Sequence, residues 1–87
     1  MAEIKKMYRL LEQMVEGTVQ GDKKNVLRLS AELHAIMPDV ATTCSTPLFL
    51  EYDRCKQSCV MYFEMPDMRD AFLEDAKGRF SKIPKPL

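Results

Sequence analysis

Two amphipathic stripes separated by the hinge Gln20-Gly21-Asp22 constrain this chain more than anything else in it. From Glu3 to Val19 the residues Ile4, Met7, Tyr8, Leu11, Met14, Val15, Thr18 and Val19 recur at steps of three and four, the spacing that places side chains on one face of an α-helix. Past the hinge, Val26, Leu29, Leu33, Ile36 and Met37 form a second stripe, which Leu27 widens. Gly21 suits the left-handed conformation that ends a helix, and Asp22 is a good cap for the next one. So short a connection turns the second helix back along the first, and an antiparallel helical hairpin is expected. Gly17 falls inside the first helix, where glycine costs about 1 kcal/mol relative to Ala. Pro38 is expected to stop the second stripe.

Pro38 to Thr46 is rich in Thr and Ser and lacks helical periodicity, so the longest connection is expected there, ordered if Val40 and Cys44 pack. Thr46 followed by Pro47 reads as a cap and a first helical residue. In the helix that follows, Leu48, Tyr52, Cys55, Cys59 and Tyr62 repeat at steps of four, three, four and three, flanked by Phe49 and Phe63, close to a heptad seam. Pro66 ends this helix and opens a fourth, with Asp67 and Asp70 in a first turn whose dipole favours negative charge. Met68, Ala71, Phe72, Ala76 and Phe80 are its expected buried stripe, Asp75 and Arg79 sit at ion-pair spacing, and Gly78 should loosen its last turn. Ser81 to Leu87 carries two prolines and is expected to be an extended tail. No segment alternates as a strand would, and 87 residues supply one core only. The prediction is an all-α domain over 1–80, an N-terminal antiparallel helical hairpin packed on two further short helices, with a basic, proline-containing tail over 81–87.

Thirteen Lys and Arg balance thirteen Asp and Glu, so no net field holds the chain on nucleic acid or on an anionic membrane. A hydrophobic fraction of 46% with 30% charged residues belongs to an ordinary globular domain and excludes a disordered or collagen-like chain. Met1 to Lys6 leads into a charged amphipathic stretch instead of an apolar core, which is not the pattern of a secretory signal. The longest uncharged run, Val40 to Leu50, is too short and too polar to span a bilayer. A cytoplasmic protein without a membrane partner is expected.

Cys44, Cys55 and Cys59 are odd in number, which reads as free thiols or metal ligands before disulfides. Cys55 and Cys59 share one helix face; with Cys44 and His34 they make up a Cys3His set, the donor count and type of a structural zinc site. The spacing lacks the doubled close pairs of zinc modules, so packing as small hydrophobes in the seam is the preferred reading, with zinc as its alternative and no other cofactor. For catalysis there is one histidine and no Gly-x-Ser-x-Gly, phosphate loop or His-Glu-x-x-His, so no enzyme is expected. Glu12/Glu16 and Asp70/Glu74 read as solvated helix faces. Lys77, Arg79, Lys82 and Lys85 run without an intervening acid and would support only weak, salt-sensitive contact with nucleic acid, a second alternative.

Partner binding remains as the leading function. Seven methionines are many for this length, and Met61, Met65 and Met68 cluster near Phe63 and Phe72 at the corner between the third and fourth helices. Leu10, Leu50 and Val60 fall off the stripes and would extend an interface if exposed together. The expected function is a non-enzymatic protein-binding module, an adaptor, chaperone-like regulator or inhibitor. Its expected anchors are Tyr52, Tyr62, Phe63, Met65 and Met68, and its partner is another protein or a second copy. No motif assigns the chain to a family.

Overall fold

The hinge folds as its residues dictate. Gly21 takes a left-handed conformation (φ 74°), and the N–H groups of Gly21 and Asp22 donate to the carbonyls of Thr18 and Gly17 at 3.1 and 2.9 Å. This paired closure satisfies carbonyls that a helix end leaves open. The Asp22 side chain then accepts from the Asn25 N–H at 3.3 Å and caps the next helix. In the computed structural model, which describes residues 2–87, the elements are α1 Ala2–Gln20, α2 Lys23–Val40, α3 Thr46–Glu64 and α4 Arg69–Lys82, with a single 3-10 turn, Pro66–Met68, ahead of α4. The described residues contain no strand.

Helices α1 and α2 run antiparallel and meet closely where Gly17 faces Val26: a Cβ at Gly17 would lie 2.8 Å from Val26 Cγ2. Helices α3 and α4 form a second antiparallel hairpin, in which Glu51 reaches Arg79, Cys55 reaches Ala76 and Ser58 reaches Asp75. The hairpins pack on one core. Met7, Leu11 and Met14 of α1 and Val26, Leu29 and Leu33 of α2 are closed over by Tyr52, Cys55 and Cys59 of α3 and Ala76 of α4. Thr18, also buried, donates its hydroxyl to the Met14 carbonyl at 2.8 Å, which removes the cost of an unpaired polar group there. No described helix is long and apolar enough to cross a membrane.

Several boundaries differ from those expected. Pro38 lies inside α2, which continues to Val40. In the last turn a proline forfeits one intrahelical bond, and the carbonyl it leaves belongs to His34, an exposed residue. Continuation buries Val40 completely, and its carbonyl receives the N–H groups of Thr43 and Cys44. The connection therefore shrinks to residues 41–45, and Cys44 packs against the core. The cap of α3 is Ser45, whose Oγ accepts from the Leu48 N–H at 3.3 Å, one residue before the cap expected at Thr46.

Burial also departs from the stripes in places. Val19 and Leu27 are exposed, whereas Leu10, expected off the stripe, is buried. Of the stripe expected for the fourth helix only Ala76 is fully buried; Phe72 and Phe80 are half-buried, and Ala71 and, in the 3-10 turn, Met68 face solvent. The 3-10 turn before α4 has three residues per turn, so a stripe extended through it at the α-helical period emerges out of phase. Gly78 lies within α4, which holds its form to Lys82. Beyond it Ile83 is buried in the common core, and the chain then runs without regular structure to Leu87.

Candidate functional site

The α3–α4 corner is built by local rules. Pro66 has no N–H to carry α3 onward; Met65 ends the helix with its N–H on the Met61 carbonyl at 2.9 Å, and Met68 donates to the Met65 carbonyl at 2.9 Å. The resulting tight turn leaves Met65 and Met68 exposed by 38% and 45%. The acids Glu64, Asp67 and Asp70 lie around them, all exposed. Tyr62, half-buried, stacks edge-on with Phe63 at 4.9 Å between ring centroids and carries the Arg69 guanidinium 5.4 Å from its own centroid. Such a cation over an aromatic ring contributes about 0.5–1 kcal/mol at an exposed site.

Of the five expected anchors, three reach this surface: Tyr62, Met65 and Met68. The other two belong to the core, Tyr52 at 1% exposure and Phe63 at 7%. The seam of α3 runs through Tyr52, Cys55, Cys59 and Phe63, so Phe63 takes the inward place expected of Tyr62. Of the off-stripe residues, Leu50 is exposed and Val60 half-buried, while the burial of Leu10 breaks up the joint patch they were to form.

Along the hairpin, away from the corner, a polar network locks α3 to α4. The Ser58 hydroxyl donates to Asp75 Oδ2, Arg79 Nε donates to the same oxygen at 2.9 Å, and Arg79 Nη1 donates to Glu51 Oε1 at 3.0 Å. Glu51 Oε2 is buried without a partner in the protein. The network borders a cleft of about 260 Å³ that Arg54, Met61 and Phe72 complete. The Ser58 hydroxyl, with Arg79, holds the Asp75 carboxyl below the usual carboxylate range. A carboxylate so shifted contributes stability that is complete above its unfolded value, near about pH 4, and is lost as pH falls through the lower native value. Ser58→Ala is therefore expected to flatten the acid limb of a stability-versus-pH curve measured by urea unfolding. An unchanged limb would remove Asp75 from the acid response.

The thiols are dispersed. Cys55 and Cys59 are fully buried, and Cys55 Sγ donates to the Ala76 carbonyl at 3.4 Å. The neighbouring Cys59 thiol, together with burial, pushes the Cys55 thiol above the usual range. Cys44 is half-buried, its thiol also raised by burial, and His34 stands on the exposed side of α2. Among the described residues no three His, Cys, Asp or Glu side chains are placed to hold a metal ion, so Cys44, Cys55, Cys59 and His34 do not assemble as a zinc site. The two helix-borne thiols are buried in the common core.

The basic tail is also rearranged. Arg79 is committed to Asp75 and Glu51. Lys85, Pro86 and Leu87 instead lie across from Lys5, Tyr8, Arg9 and Glu12 of α1 around a cleft of about 380 Å³. Next to it Lys5, Lys6, Arg9 and Leu10 border a second cleft of about 480 Å³. This juxtaposition of the two chain ends was missed from sequence, since nothing in the local pattern near Lys85 indicates α1. No protein-family model matches this chain, and neither a curated protein nor a solved structure matches it.

Proposed function

We propose that this chain is a non-enzymatic protein-binding module, an adaptor, chaperone-like regulator or inhibitor in the cytoplasm, that contacts its partner through the α3–α4 corner. The observation that carries the reading is the joint exposure of Met65 and Met68 on one tight turn beside Tyr62, inside a border of acids. An apolar centre with a polar rim is the anatomy of a protein interface, and unbranched thioethers adapt to the surface they meet. The ion-paired network fixes α3 against α4, the two helices that meet at the corner, which limits the ordering cost of binding. Free thiols suit a reducing compartment.

The test is the double substitution Met65→Ser and Met68→Ser. Both side chains are exposed, so stability should change by no more than about 0.5 kcal/mol for each. Circular dichroism is then expected to match the wild type while co-purification of the cellular partner is lost. Undiminished capture would take the corner out of the binding surface.

A further inference from the structure

We propose that the partner of this corner is a second copy of the chain, docked head to tail into the basic cleft at the opposite end of α4. The proposal rests on the corner being a binding surface and adds what it binds. At the corner Glu64, Asp67, Asp70 and Glu74 are exposed and enter no ion pair among the described residues, with Arg69 the one cation in that stretch. At the far end Lys5, Lys6, Arg9 and Lys85 are likewise exposed and unpaired, and Glu3 and Glu12 offset only part of their charge. The positive pole of the α1 macrodipole reinforces Lys5 and Lys6 instead of relieving them.

The two charged ends cannot neutralise each other within one molecule. Arg69–Lys82 lies between them, about 21 Å of helix at 1.5 Å per residue, and screening at physiological salt acts over about 8 Å. Between two molecules they fit in charge. The corner presents Met65 and Met68 within an acidic border, and the cleft of about 480 Å³ is bordered by the exposed cations Lys5, Lys6 and Arg9, with Leu10 beneath them buried in the core. Since the two surfaces differ, the contact is heterologous, and each added copy leaves one corner and one cleft open, so assembly continues to a ring or an open chain.

Sedimentation velocity on the full chain tests this. The average mass is expected to rise with protein concentration at low salt and to return to the monomer at high salt. The basic-end variant Lys5→Glu/Lys6→Glu/Arg9→Glu and the acidic-end variant Asp67→Lys/Asp70→Lys/Glu74→Lys should each keep the wild-type circular dichroism and lose association about tenfold or more. An equimolar mixture of the two should recover it, because every junction between unlike variants then pairs opposite charges. A monomer at all concentrations, or association that survives both reversals, overturns the proposal. A strictly monomeric chain that still loses a cellular partner on Met65→Ser/Met68→Ser overturns the second copy alone and leaves the corner as a binding surface. Binding of anionic vesicles or single-stranded DNA through Lys5, Lys6 and Arg9 by a monomeric chain overturns it in favour of a different ligand for the cleft.

Discussion

Tyr52→Ala is expected to lower the unfolding free energy by about 3–5 kcal/mol, the cost of removing a large aromatic side chain from a core. Tyr52 is the largest of the fully buried side chains and lies on the α3 seam with Cys55, Cys59 and Phe63. A domain of this length has a total stability of roughly 4–13 kcal/mol, so the substitution removes a large share of it. Urea unfolding followed by circular dichroism checks the value, and an unshifted midpoint would place Tyr52 outside the core. Tyr52→Phe, which keeps the ring, isolates the hydroxyl. Burial above all, aided by Tyr8 and Cys44, raises the Tyr52 pKa to about 12, against about 10 in an unfolded chain. The native state therefore disfavours the tyrosinate. Its contribution is complete below about pH 10 and lost as pH rises through about 12, a change of about 2–3 kcal/mol. Relative to the wild type, the Tyr52→Phe protein should gain stability over that interval, since it has no proton to lose there.

Tyr52 also shows where sequence reasoning ends. Its place on a stripe was legible, because period-3.6 spacing reports which residues share a face. Whether that face meets the core or a partner was not, because burial is decided by what the other helices cover. Tyr62 and Phe63 differ by one residue and therefore by about 100° around the helix axis, so a seam drawn one position off exchanges an anchor for a core residue. Hydrogen bonds made close in sequence were easier to read. Gly21 and Asp22 end and cap their helices through bonds spanning at most five residues, and the Asp75–Arg79 pair spans four. Glu51 and Ser58 join that pair from 28 and 17 residues away, and only the folded hairpin brings them there.

Pro38 and Lys85 fail for related reasons. The local rule that proline stops a helix is a statement of cost, and complete burial of Val40 two residues on outweighs the loss of one bond at a solvated turn. Lys85 belongs, by sequence, to a short basic tail. Burial of Ile83 tethers that tail to the core and lays its cation beside those of α1. The candidate site was thus legible in its type, an apolar and methionine-rich corner, whereas the basic cleft was not, because it joins residues from α1 and from beyond α4 that only the fold brings together.

Gly17→Val is expected to destabilise the domain by about 3 kcal/mol, the upper part of the range for overpacking a tight contact. Helix propensity alone points the other way for the smaller change, since Gly17→Ala should gain about 1 kcal/mol. Geometry decides against that gain. The first added carbon would lie 2.8 Å from Val26 Cγ2, closer than carbon atoms tolerate, and Val26 is fully buried. A valine in a helix has one strongly preferred rotamer, so its methyl cannot swing aside, and the α1–α2 crossing itself must open. Gly17→Ala should accordingly be neutral to mildly destabilising, and Gly17→Val, with two more methyl groups in the same gap, much worse. Val26→Ala removes the opposing methyl. The double variant Gly17→Ala/Val26→Ala should therefore be more stable than the sum of its single effects predicts, by about 1 kcal/mol or more. Urea unfolding of the four proteins in that cycle gives the coupling directly. A Gly17→Ala protein more stable than the wild type by the full propensity gain, with no coupling to Val26, would mean that the two helices cross farther apart than the hairpin requires.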